Sequence, residues 1–335
     1  MTNGIFDGLL TLRNAVAALR VHRAALREFH ARAARVLEGL CPLRPYERAD
    51  LAIERNFFST LFLIALRGAG LPTRRLRFYA LVNQCMRAWV TGCDNLLDDE
   101  FKSVIPFNLP AGGHRFLSVL TIMVADRVFS GLLRDEMGEG RLTAEQAKAL
   151  SRLTLRALLP SGLQEHEEEL GARTILPPDD LMELIHVPKT GMLFEAPITI
   201  PERLGEVDPA LAARARAGLR AFGLGCQVLD DIVDFERDFA GRRHNLVLSF
   251  AVHSNGSWPP RSPTHADVSL DTLPVDAGIA KACQRSLEFF GDARSQLGPL
   301  GFCFSERQWH RLLLGIGARL RVPEQAQELI RNAVL

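Results

Sequence analysis

Seven residues, DNLLDDE at positions 94–100, hold four carboxylates and an amide. Like charges this close resist ionising together, so the stretch is either a solvated helix end or a place where strong positive charge sits. A second acidic run, QVLDDIVDFERDFAGRRHN at 227–245, places Asp230, Asp234 and Asp238 four residues apart, with Asp231 beside the first. On a helix that spacing puts three carboxylates on one face, with Cβ atoms roughly 6 Å apart. Asp94 and Asp98 share the same step. Carboxylate oxygens suit Mg²⁺, which takes one or two per ion and fills its other positions with water and phosphate oxygens. Two such rows could hold several Mg²⁺ ions around one diphosphate, and the cations would remove the repulsion. The competing reading is a pair of solvated acidic faces. The apolar stretches leading into each cluster, AWVTGC and AFGLGCQVL, favour the metal–diphosphate site.

Positive charge for an anion is available nearby in the sequence. Lys189 sits in the otherwise apolar VPKTGMLFEAP, and Arg242 and Arg243 follow the second cluster in GRRHN. A lone lysine on an apolar stretch usually snorkels to solvent, so these residues gain meaning only if the clusters form a site. Aromatic faces that could stabilise a carbocation are offered by Trp89, Phe57, Phe58, Phe62 and Phe222, each with ordinary core packing as the rival role. Trp89 precedes Asp94 by five residues, about one and a half helical turns, which would place it in the same cavity, below the metals, as a limit on chain length. QEHEEEL (164–170) lacks the second histidine of a zinc-protease helix and reads as a solvated acidic face.

The elements that must position these groups are helices. Apolar residues recur at steps of three or four over about 12–40, 50–69, 74–100, 113–137, 143–158, 178–203, 208–239, 276–297 and 305–333, and period-two alternation is nearly absent. Thr143 and Gln146 form a capping-box start. Pro and Gly clusters at 41–45, 69–73 and 106–113 mark breaks, and the polar, Pro-rich 253–269 reads as a long surface loop. The chain has 335 residues, 47% of them hydrophobic, with 40 basic against 39 acidic. This predicts one all-α domain over 1–335 and gives no reason to expect a nucleic-acid partner. Six cysteines without a CxxC pair point to a reduced, cytoplasmic setting. The N-terminus lacks a signal-peptide pattern, and the apolar run FFSTLFLIAL (57–66) is too short to span a bilayer.

These residues resemble the trans-prenyl diphosphate synthase (polyprenyl synthetase) family of the class I isoprenoid synthase superfamily. DNLLD (94–98) is similar to its first DDxxD motif, with Asn95 at the second Asp. DDIVD (230–234) matches the second in full, and Gln227 matches the FQxxDD lead-in. KTGML (189–193) is similar to the KTxxL segment, GRRHN (241–245) to an altered GKxxxD, and GLQEHEE (162–168) faintly to GQxxD. The resemblance covers about 50–250. It implies a single-domain helical bundle with the two Asp-rich motifs on facing helices, an allylic prenyl diphosphate substrate and a homodimer. It also implies Mg²⁺, three ions, on Asp94, Asp98, Asp230, Asp234 and Asp238, with Asp231 and Lys189 in the catalytic set.

Departures from the family shape the functional expectation. The histidine seven residues before the first Asp is Arg87, no RRG follows Asp98, and only fragments such as Arg55 stand where GGKRxRP belongs. The pocket for isopentenyl diphosphate therefore reads as degraded. Asp230, Asp234 and Asp238, with Arg237 before the last, also partly fit the terpene-cyclase pattern (N/D)DxxSxxx(E/D). The expectation is a terpene synthase that ionises one allylic diphosphate on Mg²⁺ without isopentenyl diphosphate, with Lys189, Gln227, Arg237, Arg242, Arg243, Arg87 and Trp89 lining the substrate. The alternatives are a chain-elongating prenyl diphosphate synthase and a non-catalytic partner subunit of an active synthase.

Overall fold

In the computed structural model the described residues are 3–97, 101–110, 112–255, 270 and 273–332. They are helical throughout, with a single isolated bridge between Leu43 and Phe107 and no strand among them. The chain divides into two compact units, each assembled from separate segments. One comprises Leu9–Leu158 and Pro197–Ala213, the other Met1–Gly8, Leu159–Ala196 and Arg214–Leu335.

In the first unit α1 (Asn3–Leu37), α2 (Phe57–Gly68), α3 (Thr73–Leu97) and α4 (His114–Gly138) carry the core. Helix α3 buries Phe78, Tyr79, Leu81, Val82 and Cys85. Its close approach to α4 needs Gly92, where a Cβ would stand 2.6 Å from the Ile122 Cγ1. By length and composition α4 could cross a membrane, although the apolar run that stands out in the sequence is the shorter 57–66. Its buried side, including Val124, Val128 and Leu132, is core. Its other side exposes Phe116, Val119 and Met123 together with Asp126, Arg127 and Arg134. Arg75 anchors this unit: its guanidinium is bidentate to Glu206 at 2.8 Å and donates to Glu136 at 2.7 Å.

The part of α8 (Pro209–Ala240) from Arg214 on belongs to the second unit and presents Phe222, Leu224, Val228, Leu229 and Ile232 to its core. Gly223 lets it approach Phe194, whose Cγ would lie 2.5 Å from an added Cβ. A short α6 (Pro178–Leu181) runs into a π-helical stretch, Met182–Gly191, and then α7 (Met192–Arg203). Pro188 lies inside the π stretch and contributes no N–H; a widened turn of this kind often marks a functional segment, and this one carries Lys189. Helices α9 (Leu246–Asn255), α10 (Val275–Leu297), α11 (Glu306–Leu320) and α12 (Glu324–Asn332) complete the unit.

Several boundaries differ from the periodicity. α2 begins at Phe57, after a turn of 3₁₀ helix at Ile53–Arg55. α5 (Ala144–Glu169) continues past 158, because Pro160 is tolerated within it. The expected last helix is two: Arg321 adopts φ 62° and closes α11 before Pro323. The Thr143–Gln146 capping box forms, with reciprocal bonds of 2.9 and 3.1 Å. Of the expected loop at 253–269, the first three residues belong to α9 and the remainder lies outside the described residues.

Candidate functional site

The second acidic run lies on α8, the first at the end of α3, each in its own unit. On α8, Asp230 keeps an exposed surface and Asp234 is half-buried. Protein crowding around Asp230, followed by the carboxylates of Asp234 and Asp231, pushes its pKa up to about 6, against the pull of Lys189 and Arg237. Arg237 donates to Asp234 at 2.7 Å. Among the described residues no three potential ligands close into a ready-made metal cage. Two neighbouring carboxylates, one of them with a raised pKa, fit Mg²⁺ nonetheless, because that ion keeps most of its water and phosphate ligands.

Asp231 faces the other way. It is buried, and its carboxylate accepts from the Leu246 N–H at 2.7 Å and from the Gln227 Nε2 at 3.2 Å. It also pairs with the His186 Nε2 at 2.8 Å. Asp238 is buried too, and accepts from the Asn245 Nδ2 at 2.9 Å. Asn245 also donates to the Asp231 carbonyl at 2.8 Å and its oxygen accepts from the Val247 N–H at 2.9 Å. Asp231 and Asn245 thereby fix the start of α9 against α8. Burial pushes the Asp238 pKa up to about 7, with Asp231 and Asp234 adding to it and the Asn245 bond opposing.

Lys189 is held by Glu165 and Glu168, each at 2.9 Å. Burial works against its charge, and the two carboxylates outweigh that and raise its pKa. The solvated acidic face expected at 164–170 is therefore wrong for these glutamates: Glu168 is buried and both serve Lys189. Arg243 adds its field to Glu168. Arg242, at φ 53°, donates from Nε to the Ala172 carbonyl at 3.1 Å. Thr190 donates to Gln227, tying the lysine segment to α8.

At the end of α3, Asp94 is half-buried in a last turn that has no basic residue. Asn95 is buried and closes the chain behind it: its Nδ2 donates to the Lys102 carbonyl at 3.1 Å and its Oδ1 accepts the Lys102 N–H at 2.8 Å. An ionised Asp could not donate, which accounts for the amide at this position. Asp98 lies outside the described residues. Trp89 is half-buried, its ring edge-to-face with Phe129 at 5.2 Å. Phe222 packs between Phe290 and Trp309 with no exposure, so it is core, whereas Phe57 and Phe62 are half-buried and Phe58 is exposed.

Sequence reasoning did not find a basic cleft in the first unit. Arg44, Arg55 and Arg87 line it with Asp50, Asn56 and Gln84. Arg87 donates to the Asn56 Oδ1 and to the Arg55 carbonyl, both at 3.1 Å. Arg44 and Arg55 both donate to Asp50, at 2.7 and 2.6 Å. Arg87 and Arg55 stood out only as fragments, and Arg44, in a loop and 43 positions from Arg87, obeys no helical spacing that would group it with them.

No protein-family profile matches the sequence, and no curated protein is similar to it. Solved structures do match. A decaprenyl diphosphate synthase from Rhodobacter capsulatus is 16% identical with a TM-score of 0.64, over 94% of this chain and 100% of that one. A geranylgeranyl pyrophosphate synthetase from Geoglobus acetivorans is 15% identical with a TM-score of 0.56, over 98% and 99%. A polyprenyl synthase from Caulobacter crescentus CB15, complexed with calcium and isoprenyl diphosphate, is 16% identical with a TM-score of 0.55, over 94% and 97%. The chain has the all-α fold of the trans-prenyl diphosphate synthases.

Proposed function

We propose that this chain is a Mg²⁺-dependent prenyltransferase that ionises an allylic diphosphate and joins the allylic chain to isopentenyl diphosphate. The observation that carries the elongating reading is the cleft of Arg44, Arg55 and Arg87. The sequence suggested that the second diphosphate had lost its basic ligands, and on that ground favoured cyclisation without isopentenyl diphosphate. Three guanidiniums in one cleft speak against that ground. The similar folds named above are all of chain-elongating synthases, which supports the same choice.

Asp230, Asp234 and Asp94 would hold Mg²⁺, and three ions are the number the resemblance implies. When bound, Mg²⁺ stabilises negative charge on the departing diphosphate as a Lewis acid. Arg237 and Arg243 add fixed positive charge where that negative charge develops. Lys189 joins them only by exchanging Glu165 or Glu168 for substrate; otherwise it organises the π stretch. Asp231, His186 and Asn245 position the α8 carboxylates without touching substrate, and Asp238 belongs with them by its burial and its Asn245 bond. The cyclising alternative keeps one point in its favour, the Arg237–Asp234 pair within the cyclase-like spacing. Incubation with isopentenyl diphosphate present or withheld separates the two.

A homodimer remains part of this proposal, with the exposed Phe116, Val119 and Met123 of α4 as the face a second copy would cover; sedimentation gives the mass that tests it. A cytoplasmic setting, expected from six cysteines without a CxxC pair, remains part of this proposal.

Two predictions arise from these environments. Trp89→Ala should open the space beside Asp94, so product length should rise by one or more five-carbon units, read by mass spectrometry. An unchanged product profile in a folded variant returns Trp89 to core packing. The second concerns Asp238. A carboxyl whose pKa is about 7 when folded and ordinary when unfolded binds more protons in the folded state between about pH 4 and pH 7. Stability from this group therefore falls as pH rises through that window. Asp238→Asn keeps an acceptor for Asn245 and removes the buried charge. It should raise the melting temperature of the metal-free protein at pH 8 by a few degrees and leave it nearly unchanged at pH 4.5. An equal shift at both values would contradict the assignment.

A further inference from the structure

The arginine cleft already contains an anion of the protein's own. The Asp50 Oδ2 accepts from Arg44 at 2.7 Å and from the Glu47 N–H at 3.0 Å, and its Oδ1 accepts from Arg55 at 2.6 Å. Its side chain is only 11% exposed. Its backbone is held as firmly: Asn56, 1% exposed, donates to the Asp50 and Ala52 carbonyls, each at 2.8 Å. The Asn56 oxygen in turn pairs with His22 at 2.9 Å and accepts from Arg87 at 3.1 Å. Burial opposes the charge on Asp50, yet Arg44, the Glu47 N–H and Arg55 hold its pKa below the usual carboxylate range, so it is anionic at neutral pH.

We infer that Asp50 is a built-in competitor that sets the affinity and charge preference of this cleft: it stands on two of the three guanidiniums that an incoming diphosphate would use. The inference rests on the proposed role of the cleft as a diphosphate site. A ligand must either share Arg44 and Arg55 with Asp50 and meet its repulsion, or displace it. Both costs grow with the charge of the ligand. Asp50 cancels one of the three guanidinium charges, and the exposed Glu47 carboxylate, 3.4 Å from Arg44, offsets part of another, which leaves a poorer match to a diphosphate than to a phosphate monoanion or dianion. Asp50 therefore weakens diphosphate binding more than phosphate binding.

The test is calorimetric titration of the metal-free protein in EDTA, where the Asp-rich motifs repel anions and Arg87→Ala identifies the part of the binding that belongs to the arginine cleft. The probes are inorganic diphosphate and inorganic phosphate, and circular dichroism checks the fold of each variant. Asp50→Asn should bind diphosphate about tenfold tighter than the unaltered chain, with a smaller gain for phosphate; Asp50→Ser serves if the Asn variant folds poorly. Equal or weaker diphosphate binding by both, with binding lost in Arg87→Ala, overturns the inference alone and makes Asp50 a residue that merely positions Arg44 and Arg55. If Arg87→Ala binds diphosphate as well as the unaltered chain, or no form binds it, the cleft is not an anion site and the inference falls with it.

Discussion

Asp230→Ala should lower consumption of an allylic diphosphate by a factor of about 10³ or more while leaving a folded protein. The loss is large because the carboxylate would be a direct metal ligand, and without the ion the departing diphosphate's charge goes uncompensated. The fold should survive, because Asp230 keeps an exposed surface and its neighbours Asp231 and Asp234 repel it. Removing it from the metal-free protein relieves strain. Asp94→Ala should behave alike, since Asp94 is half-buried at the surface of α3 and would be a metal ligand of the same kind. Asp231→Ala should differ in kind: it deprives His186, Gln227 and the Leu246 N–H of an acceptor and should cost stability as well as turnover. Turnover with circular dichroism melts distinguishes the two patterns, and substantial activity in Asp230→Ala would remove the metal assignment.

Arg87→Ala should raise the KM for isopentenyl diphosphate by about 10²-fold, with a much smaller effect on the KM for the allylic substrate. A charge-assisted contact to a phosphate is worth roughly 1.5–3 kcal/mol, and the loss also frees Asn56, which Arg87 and His22 share. Arg87→Lys should recover only part of the affinity, because a lysine cannot donate in a fork to both Asn56 and the Arg55 carbonyl. Equal changes in both Michaelis constants would mean that the cleft does not discriminate between the two diphosphates.

The two acidic runs were legible because chemistry and periodicity coincide in them: a four-residue step names one helix face without knowledge of the fold. What each aspartate does was less legible. Asp230 and Asp231 are adjacent in sequence, but about 100° of helical rotation separates them, so one is exposed and the other is buried on three donors. Asn95 read only as a replacement for the second Asp of the motif, and its use became clear from Lys102, seven residues on. The arginine cleft was illegible for a different reason. Arg44 comes from a loop, Arg55 from a 3₁₀ turn and Arg87 from α3, and tertiary folding alone brings them together. The same limit hid the glutamates of α5: an acidic run without a second histidine read as a solvated face, and only the fold places Lys189 against Glu165 and Glu168.

The most direct test of the prenyltransferase reading is a product analysis by mass. Purified protein with Mg²⁺ is given C10, C15 or C20 allylic diphosphate, each with and without isopentenyl diphosphate. The account predicts that diphosphate release depends on isopentenyl diphosphate and yields a prenyl diphosphate at least five carbons longer than the substrate. Release at the same rate without isopentenyl diphosphate, with a hydrocarbon or terpene alcohol as product, would contradict it and return the chain to cyclisation.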